Sequence, residues 1–566
     1  MSKKINAALF RNGKLSQEDK RLNKVLMTVE REVKEYADYQ LSHIEQLANI
    51  GLALSIEKNI DILLEMIVDA ARDLTNADAG TLYLVDDTNN SLKFQILQND
   101  TMNTRMGGTS GIEVTLPPVP LEVDGKPNHS NVSSYCALTG DVVNIPDVYE
   151  AEGFDFTGPR KYDEATGYRS KSMLVIAMRN HENDIIGVLQ LLNAKDIDTK
   201  ETVSFSTEYV DLIGSLASQA AVALTNAELV QDLRDLLYSF IKSIATAIDE
   251  KSPYTAGHFS RVVDLTMMIA EKMNDIKKGP FADVQFTDDE MEELKLAAWM
   301  HDVGKITTPE HVVDKSTKLE TIFDRVELVK TRFDLIAQAI ESDYLNKKLS
   351  LMEGKGPERK RLLEIDEELE RRLAEIREER EFVVNCNTPK EFMDDERLKR
   401  LNSIAKKKFI IGGKTHNYLT DDELYNLSIR KGSLNDEERK IIEGHASLTN
   451  KMLEQLPFPK KLANVASYAS GHHEKLDGTG YPLGLKADQL PLQARIMAIA
   501  DVFEALTAGD RPYKQPMKLS QAVKILGFMK NDKHIDPDIL DLFIKEGVFQ
   551  EYAKIELRPE QIDELI

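Results

Sequence analysis

Seven residues of this chain are of types that hold transition metals, and they come in a pattern. His258 stands alone, His301 is followed at once by Asp302, His445 stands alone, His472 adjoins His473, and Asp501 comes last. Five imidazoles and two carboxylates match, in type and number, a binuclear site for Fe, Mn or Zn. The set has no thiol, which argues against a structural zinc. Successive side chains on a helix point about 100° apart, so His301 and Asp302 reach one ion only near a helix end or a bend. The stretch "HDVGK" supplies that change of direction through Gly304, and Lys305 sits one turn beyond Asp302, placed to meet an anion held by the metal.

The elements around these residues set the frame. With 566 residues, 42% of them hydrophobic and 30% charged, the chain has material for several soluble domains. No apolar run nears the roughly 18 residues of a membrane span. The start has no apolar signal-peptide core, and only Cys136 and Cys386 are present. A cytoplasmic protein without disulfides or membrane insertion is expected. A net charge of −23 argues against DNA or RNA as partner and demands a locally positive site for any anionic substrate.

Residues 1–41 read as an exposed helix, with Leu22, Val25, Leu26 and Val29 at helical spacing. Ile60, Leu63, Leu64, Ile67, Val68 and Ala71 make an amphipathic face. Period-two alternation then predicts a strand at Leu92, Phe94 and Ile96, paired with Thr81–Val85 across "DDTNNS". Met173–Met178 and Ile185–Leu192 pair across "RNHEND" in the same way. Residues 42–226 thus predict an α+β domain, an antiparallel sheet with helices. The segments "YCALTGDVVNIPDVYE", "TGYRSKSMLVIAM" and "IIGVLQLLNAKD" resemble the GAF domain, in the form related to cyclic-nucleotide sensors. That resemblance implies either a small-molecule ligand such as a cyclic nucleotide or a domain that mainly dimerises and transmits. The usual nucleotide signature is broken, because Ala194 follows Asn193 and Phe205 has no Asp-Glu pair behind it. Cys136 reads as a small buried residue. From 227 to 248 a connecting signalling helix carries Val230, Leu233, Leu237, Phe240 and Ile244 at coiled-coil spacing, which predicts a parallel homodimer.

The segments "YTAGHFSRV", "HDVGKI", "GHHEKLDGTGYP" and "DVFEALTAGDRPYK" together resemble the HD-GYP family of metal-dependent phosphodiesterases acting on cyclic di-GMP. The resemblance implies an all-α domain in two parts, 249–316 and 430–566. It also implies two divalent ions, Fe or Mn first with Zn or Ni as alternatives, held by His258, His301, Asp302, His445, His472, His473 and Asp501. One ion would take His258, His301 and Asp501, the other His445, His472 and His473, with Asp302 bridging. Lys305 would hold the scissile phosphate or the attacking water. Arg511 and Lys514 would bind the dinucleotide, and Gly480, Tyr481 and Pro482 would shape its pocket. The expected product is linear pGpG, with GMP if a second cut follows. Hydrolysis of cyclic GMP-AMP, or a silent dinucleotide receptor, are the competing expectations.

Three departures stand out. Tyr254 occupies the place where some relatives carry a third-metal glutamate, which favours two ions. Ala446 follows His445 where proline is usual. The connector between His301 and His445 is split by residues 317–429, whose Leu362, Leu363, Ile365, Leu369, Leu373 and Ile376 amid dense charge predict a solvated helical hairpin, a dimer contact or lid. The basic run "RLKRLNSIAKKKF" reads as a charged helix face, and His416 within the insertion as a non-ligand.

Overall fold

The structure, a computed structural model, describes residues 17–251, 257–353, 359–390, 392–509 and 516–563. It divides into two compact units, Met1–Leu236 and Leu237–Ile566. No helix among the described residues is long and apolar enough to cross a membrane.

In the first unit, helix α1 (Gln17–Ile56) precedes α2 (Ile60–Thr75). Asn59 starts α2 by accepting from the N–H groups of Asp61 and Ile62, and left-handed Asn76 ends it. Strands β1 (Ala77–Asp86), β2 (Ser91–Asn99), β3 (Thr104–Gly107), β4 (Val143–Ile145), β5 (Met173–Arg179) and β6 (Ile185–Lys195) form an antiparallel sheet in the order β3-β2-β1-β6-β5-β4. Both expected hairpins are present, closing at Asp86 opposite Ser91 and at Arg179 opposite Ile185. Alternation sends Leu174, Ile176 and Met178 to one face, against Leu63, Ile67 and the next helix, and Met173, Val175 and Ala177 to the other. The second face is covered by α3 (Val132–Thr139) and by the segment around Phe156. Cys136 of α3 lies fully buried there, and burial pushes its thiol up to about 12, so it packs as a small apolar residue.

Helix α4 (Thr207–Asp249) is 43 residues long. Ile213, Leu216, Ala220 and Leu224 enter the core of the first unit, and Ile241, Ala245 and Ile248 that of the second. Between them Val230, Leu233 and Phe240 stay more than half exposed. Ile244 does not continue this seam: it packs against the core of the second unit.

The second unit is largely helical. Helices α5 (His258–Asp275) and α6 (Asp288–Met300) pack on one another. The residues expected to be a solvated hairpin instead build a small core of their own. Helices α7 (Val326–Met352) and α8 (Arg359–Cys386) do pair, but α9 (Asp395–Ala405), a β-hairpin of Lys408–Ile411 and Lys414–Asn417, and α10 (Asp421–Leu427) close over them. Phe333, Ile336, Ile376, Val383, Leu401, Ile404 and Tyr418 are buried together. The unit is therefore not purely α-helical. The basic run divides between α9 and the first hairpin strand, because Gly412 and Gly413 take the positive φ that the turn requires. Two buried lysines tie this segment down: Lys318 donates to the carbonyl of Ile429, and Lys315 bonds both carboxylate oxygens of Glu438. Glu438 also closes the capping box of α11 (Asp436–Leu453) with Asn435. Helices α12 (Val465–Ser470), α13 (Leu492–Thr507), α14 (Leu519–Asn531), α15 (Pro537–Lys545) and α16 (Val548–Glu556) complete the unit.

Candidate metal centre

The five histidines arrive on four kinds of backbone. His258 opens α5 behind left-handed Gly257. His301 caps the C-terminus of α6, and Asp302 starts the 3₁₀ turn Val303–Thr307. His445 sits in the middle of α11, whereas His472 and His473 lie in a 3₁₀ turn, Gly471–His473, directly after α12. Asp501 lies within α13. The helix end expected at His301-Asp302 is present, but Gly304 has a different task. It lacks positive φ, and a Cβ there would come within 2.1 Å of the His445 carbonyl oxygen. The 3₁₀ turn and α11 therefore approach backbone to backbone. Thr449 fastens the contact, accepting from the Gly304 N–H at 3.0 Å and donating to the His301 carbonyl at 3.2 Å.

The imidazoles are oriented from behind. His301 Nδ1 faces the Ala298 carbonyl at 2.7 Å, His445 Nδ1 that of Ile442 at 2.5 Å, and His472 Nδ1 that of Ala469 at 2.6 Å. A carbonyl only accepts, so each Nδ1 carries the proton and each Nε2 presents a lone pair. These lone pairs converge on Asp302. Its Oδ1 lies 3.1 Å from His445 Nε2 and 3.8 Å from His472 Nε2, and its Oδ2 lies 3.3 Å from His301 Nε2 and 3.5 Å from His258 Nε2. Asp501 Oδ1 is 3.4 Å from His258 Nε2. Asp302, His445, His472 and His473 can thus surround one ion, and His258, His301 and Asp302 another.

The residues fit metal ions on a physical criterion. Asp302 Oδ1, His445 Nε2 and His472 Nε2 are buried without a hydrogen-bond partner. Acceptors packed against acceptors in a dry interior are costly unless a cation lies among them. Electrostatics agree. Burial drives His472 down to about 3, with His301 adding to the effect, and holds His473 well below the usual imidazole range. Both are neutral donors. Burial opposes charge on Asp302, but Lys305 and His301 hold its carboxyl well below the ordinary range. Burial also opposes charge on His258, yet Glu504, Asp302 and Asp501 raise it to about 10. Lys305 Nζ pairs with Asp302 Oδ2.

Tyr481, between Gly480 and Pro482, borders this cluster. The Tyr481 ring lies 4.9 Å from that of His473 and 6.4 Å from that of His445, centroid to centroid. Burial raises the Tyr481 phenol well above its usual range, so it remains a hydrogen-bond donor at neutral pH. A Cβ on Gly480 would strike the Glu474–Lys475 backbone at 2.3 Å, which requires glycine. Glu474 holds the far side of this loop, its carboxylate accepting from the N–H groups of Leu483, Gly484 and Leu485. Tyr254, Arg511 and Lys514 lie outside the described residues.

Sequence reasoning missed Glu504. Its Oε2 accepts from His258 Nδ1 at 2.6 Å and its Oε1 from Arg261 Nε at 2.7 Å. Burial works against its charge, but His258 and Arg261 lower it to about 2. The available signal was its place one turn after Asp501 in "DVFEAL". Glu504→Gln should weaken metal binding about 10- to 100-fold, as loss of an orienting carboxylate does elsewhere. Metal titration of the purified variant checks this, and unchanged affinity would refute the orienting role.

The first unit contains a separate cavity of about 430 Å³ lined by Tyr83, Phe94, Asn131, Ser133, Phe156 and Gln190 among others, with no Lys, Arg or His among the described residues of its lining.

Comparison with known proteins gives the same division. Residues 59–224 match the GAF domain family, and residues 255–376 and 420–539 each match an HD domain family. The chain thus carries a GAF domain followed by HD domains. A "Probable cyclic di-GMP phosphodiesterase" of Vibrio cholerae serotype O1 is 42% identical over 126 residues, 21% of this chain and 28% of that one. The "3'3'-cGAMP-specific phosphodiesterase 3" of the same organism is 40% identical over 111 residues, 19% of this chain and 23% of its own. A "Cyclic di-GMP phosphodiesterase" of Thermotoga maritima is 34% identical over 117 residues, 21% and 31% of the two chains. The matched part spans about a quarter to a third of each of these relatives. Among solved structures, a GAF domain from an Acinetobacter phosphoenolpyruvate-protein phosphotransferase aligns over 34% of this chain and 98% of its own, at 16% identity and TM-score 0.25.

Proposed function

We propose that this chain, a GAF domain followed by HD domains and a distant homologue of cyclic-dinucleotide phosphodiesterases over its C-terminal part, hydrolyses cyclic di-GMP to pGpG, with GMP as product if a second cut follows. The observation that carries this reading is the buried Asp302 with histidine lone pairs on both of its oxygens. His258, His301, Asp302 and Asp501 would hold one ion, and Asp302, His445, His472 and His473 the other, with Fe or Mn favoured and Zn or Ni also suited to such donors. Two divalent ions, when bound, make hydroxide available near neutral pH and offset charge on phosphoryl oxygens.

The chain's own residues do the remainder. Lys305, which pairs with Asp302 at the edge of the cluster, would bind the scissile phosphate through its ammonium. Tyr481, between Gly480 and Pro482, walls the pocket and donates its phenol proton in a hydrogen bond. Arg511 and Lys514 supply the positive charge that a dianionic substrate needs against a net charge of −23. Exposed Val230, Leu233 and Phe240 support a homodimer through α4, in a cytoplasmic protein. The GAF cavity is assigned a small-molecule regulator. Its aromatic and amide lining suits a nucleobase, whereas a cyclic nucleotide phosphate would find no side-chain cation among the described residues of the lining.

The names of related enzymes favour one second reading, 3'3'-cGAMP as substrate. Anaerobically purified protein, loaded with Fe or Mn, should turn over cyclic di-GMP with higher kcat/KM than cGAMP, and EDTA should abolish turnover. Faster cGAMP hydrolysis would replace the substrate assignment. A fully metallated protein that binds either dinucleotide without cleaving it would be a receptor instead.

A further inference from the structure

Two residues beyond α4, the Lys251 side chain meets the turn that carries Lys305. Its Nζ donates to the carbonyls of Ile306 at 2.6 Å, Thr308 at 2.7 Å and Lys305 at 3.4 Å. An ammonium has three protons to give, and the last carbonyls of a 3₁₀ turn have no partner within the turn. Lys251 therefore satisfies the end of Val303–Thr307 while Asp302 begins it. The backbone between these points is pinned from the other side as well. Lys305 N–H bonds the Asp302 carbonyl at 2.9 Å, and Gly304 N–H bonds Thr449. Asp249, the last residue of α4, plays a parallel part, its Oδ2 accepting at 3.1 Å from the N–H of Gly257, the residue before His258.

We infer that Lys251 is a positioning residue that sets the Lys305 ammonium against the metal centre, and that the end of α4 thereby reaches the site. This rests on the role proposed above for Lys305. Without Lys251 the far end of the turn keeps the Thr308 N–H bond to the Lys305 carbonyl but loses the donor on the Ile306 and Thr308 carbonyls. That loss gives the Lys305 backbone room to pivot, and a shift of about 1 Å in a positioned group can cost on the order of 100-fold in rate.

The test is a double-mutant cycle in the full chain: Lys251→Met, Lys305→Met, the pair together, and Lys251→Arg. Turnover of cyclic di-GMP and of bis(p-nitrophenyl) phosphate, metal content and melting temperature would be measured for each. Lys251→Met should lower kcat about 10- to 100-fold with metal content unchanged and the protein fully folded at the assay temperature. The melting temperature should fall modestly as the Ile306 and Thr308 carbonyls lose their donor. The double variant should match Lys305→Met within about twofold, because residues acting through one group are not additive. Lys251→Arg should restore most of the rate. Additive losses, or losses that track metal content and melting temperature, would overturn the inference, as would an unchanged Lys251→Met. If Lys251→Met fails to fold, Lys251→Gln takes its place in the cycle. Wild-type protein that ignores cyclic dinucleotides but cleaves bis(p-nitrophenyl) phosphate would refute the proposed substrate while still deciding the role of Lys251.

Discussion

Asp302→Asn should cut phosphodiesterase turnover by roughly 10³-fold or more, the scale seen when one member of a catalytic unit is removed, and should release metal from both halves of the site. The side chain is 1% exposed and the only residue shared by the two candidate ligand groups among the described residues. Asparagine keeps its shape but removes its charge and replaces one acceptor oxygen by an N–H₂ donor. In one orientation that donor faces the Nε2 of His445 and His472; in the other it faces those of His301 and His258. Either way one half of the site receives a hydrogen bond where an ion would be held. Lys305 also loses the carboxylate that pairs with it. Elemental analysis and a turnover assay on the same sample give the answer. A variant that retains two equivalents of metal and normal kcat would sink the bridging role.

Gly304→Ala should be nearly as damaging, by a steric route. The added Cβ would lie 2.1 Å from the carbonyl oxygen of His445 and 2.8 Å from the amide nitrogen of Thr449, both backbone atoms with no rotamer to retreat into. The 3₁₀ turn and α11 must separate, which moves His301-Asp302 away from His445 and breaks the Thr449 bridge. Overpacking of this kind costs about 1–3 kcal/mol, and more when backbone must move. The melting transition of the second unit should fall by about 5 °C, with metal content reduced in the folded protein. Gly444→Ala is the control, one residue before His445 on the same helix with nothing within 4 Å of the new methyl group. It should hold or slightly raise stability. Equal melting temperatures and metal contents in the two variants would remove the close approach as an explanation for Gly304.

The sequence carried the donor inventory by itself, because ligand chemistry is a property of residue type. His258, His301, Asp302, His445, His472, His473 and Asp501 could be picked out before any fold was known. It also carried the α+β and helical division, since the switch from period two around Leu92 to longer helical spacing is local. The insertion was only half legible. Its paired helices follow from charge and leucine spacing, but its small core draws on Phe333, Ile376, Leu401 and Tyr418, residues far apart in the chain. A long-range core has no local period to announce it.

Tertiary structure alone decided how the seven donors are arranged. No spacing rule places two histidines on each side of Asp302, turns their Nε2 atoms inward by carbonyls three residues back, or sets Glu504 behind His258. The same holds for Gly304, which reads as a turn glycine in sequence and proves to be a point of backbone contact. Residue type fixes which chemistry is available. Packing between α5, α6, α11, α12 and α13 fixes where the lone pairs meet, because orientation is set by partners the chain reaches only when folded.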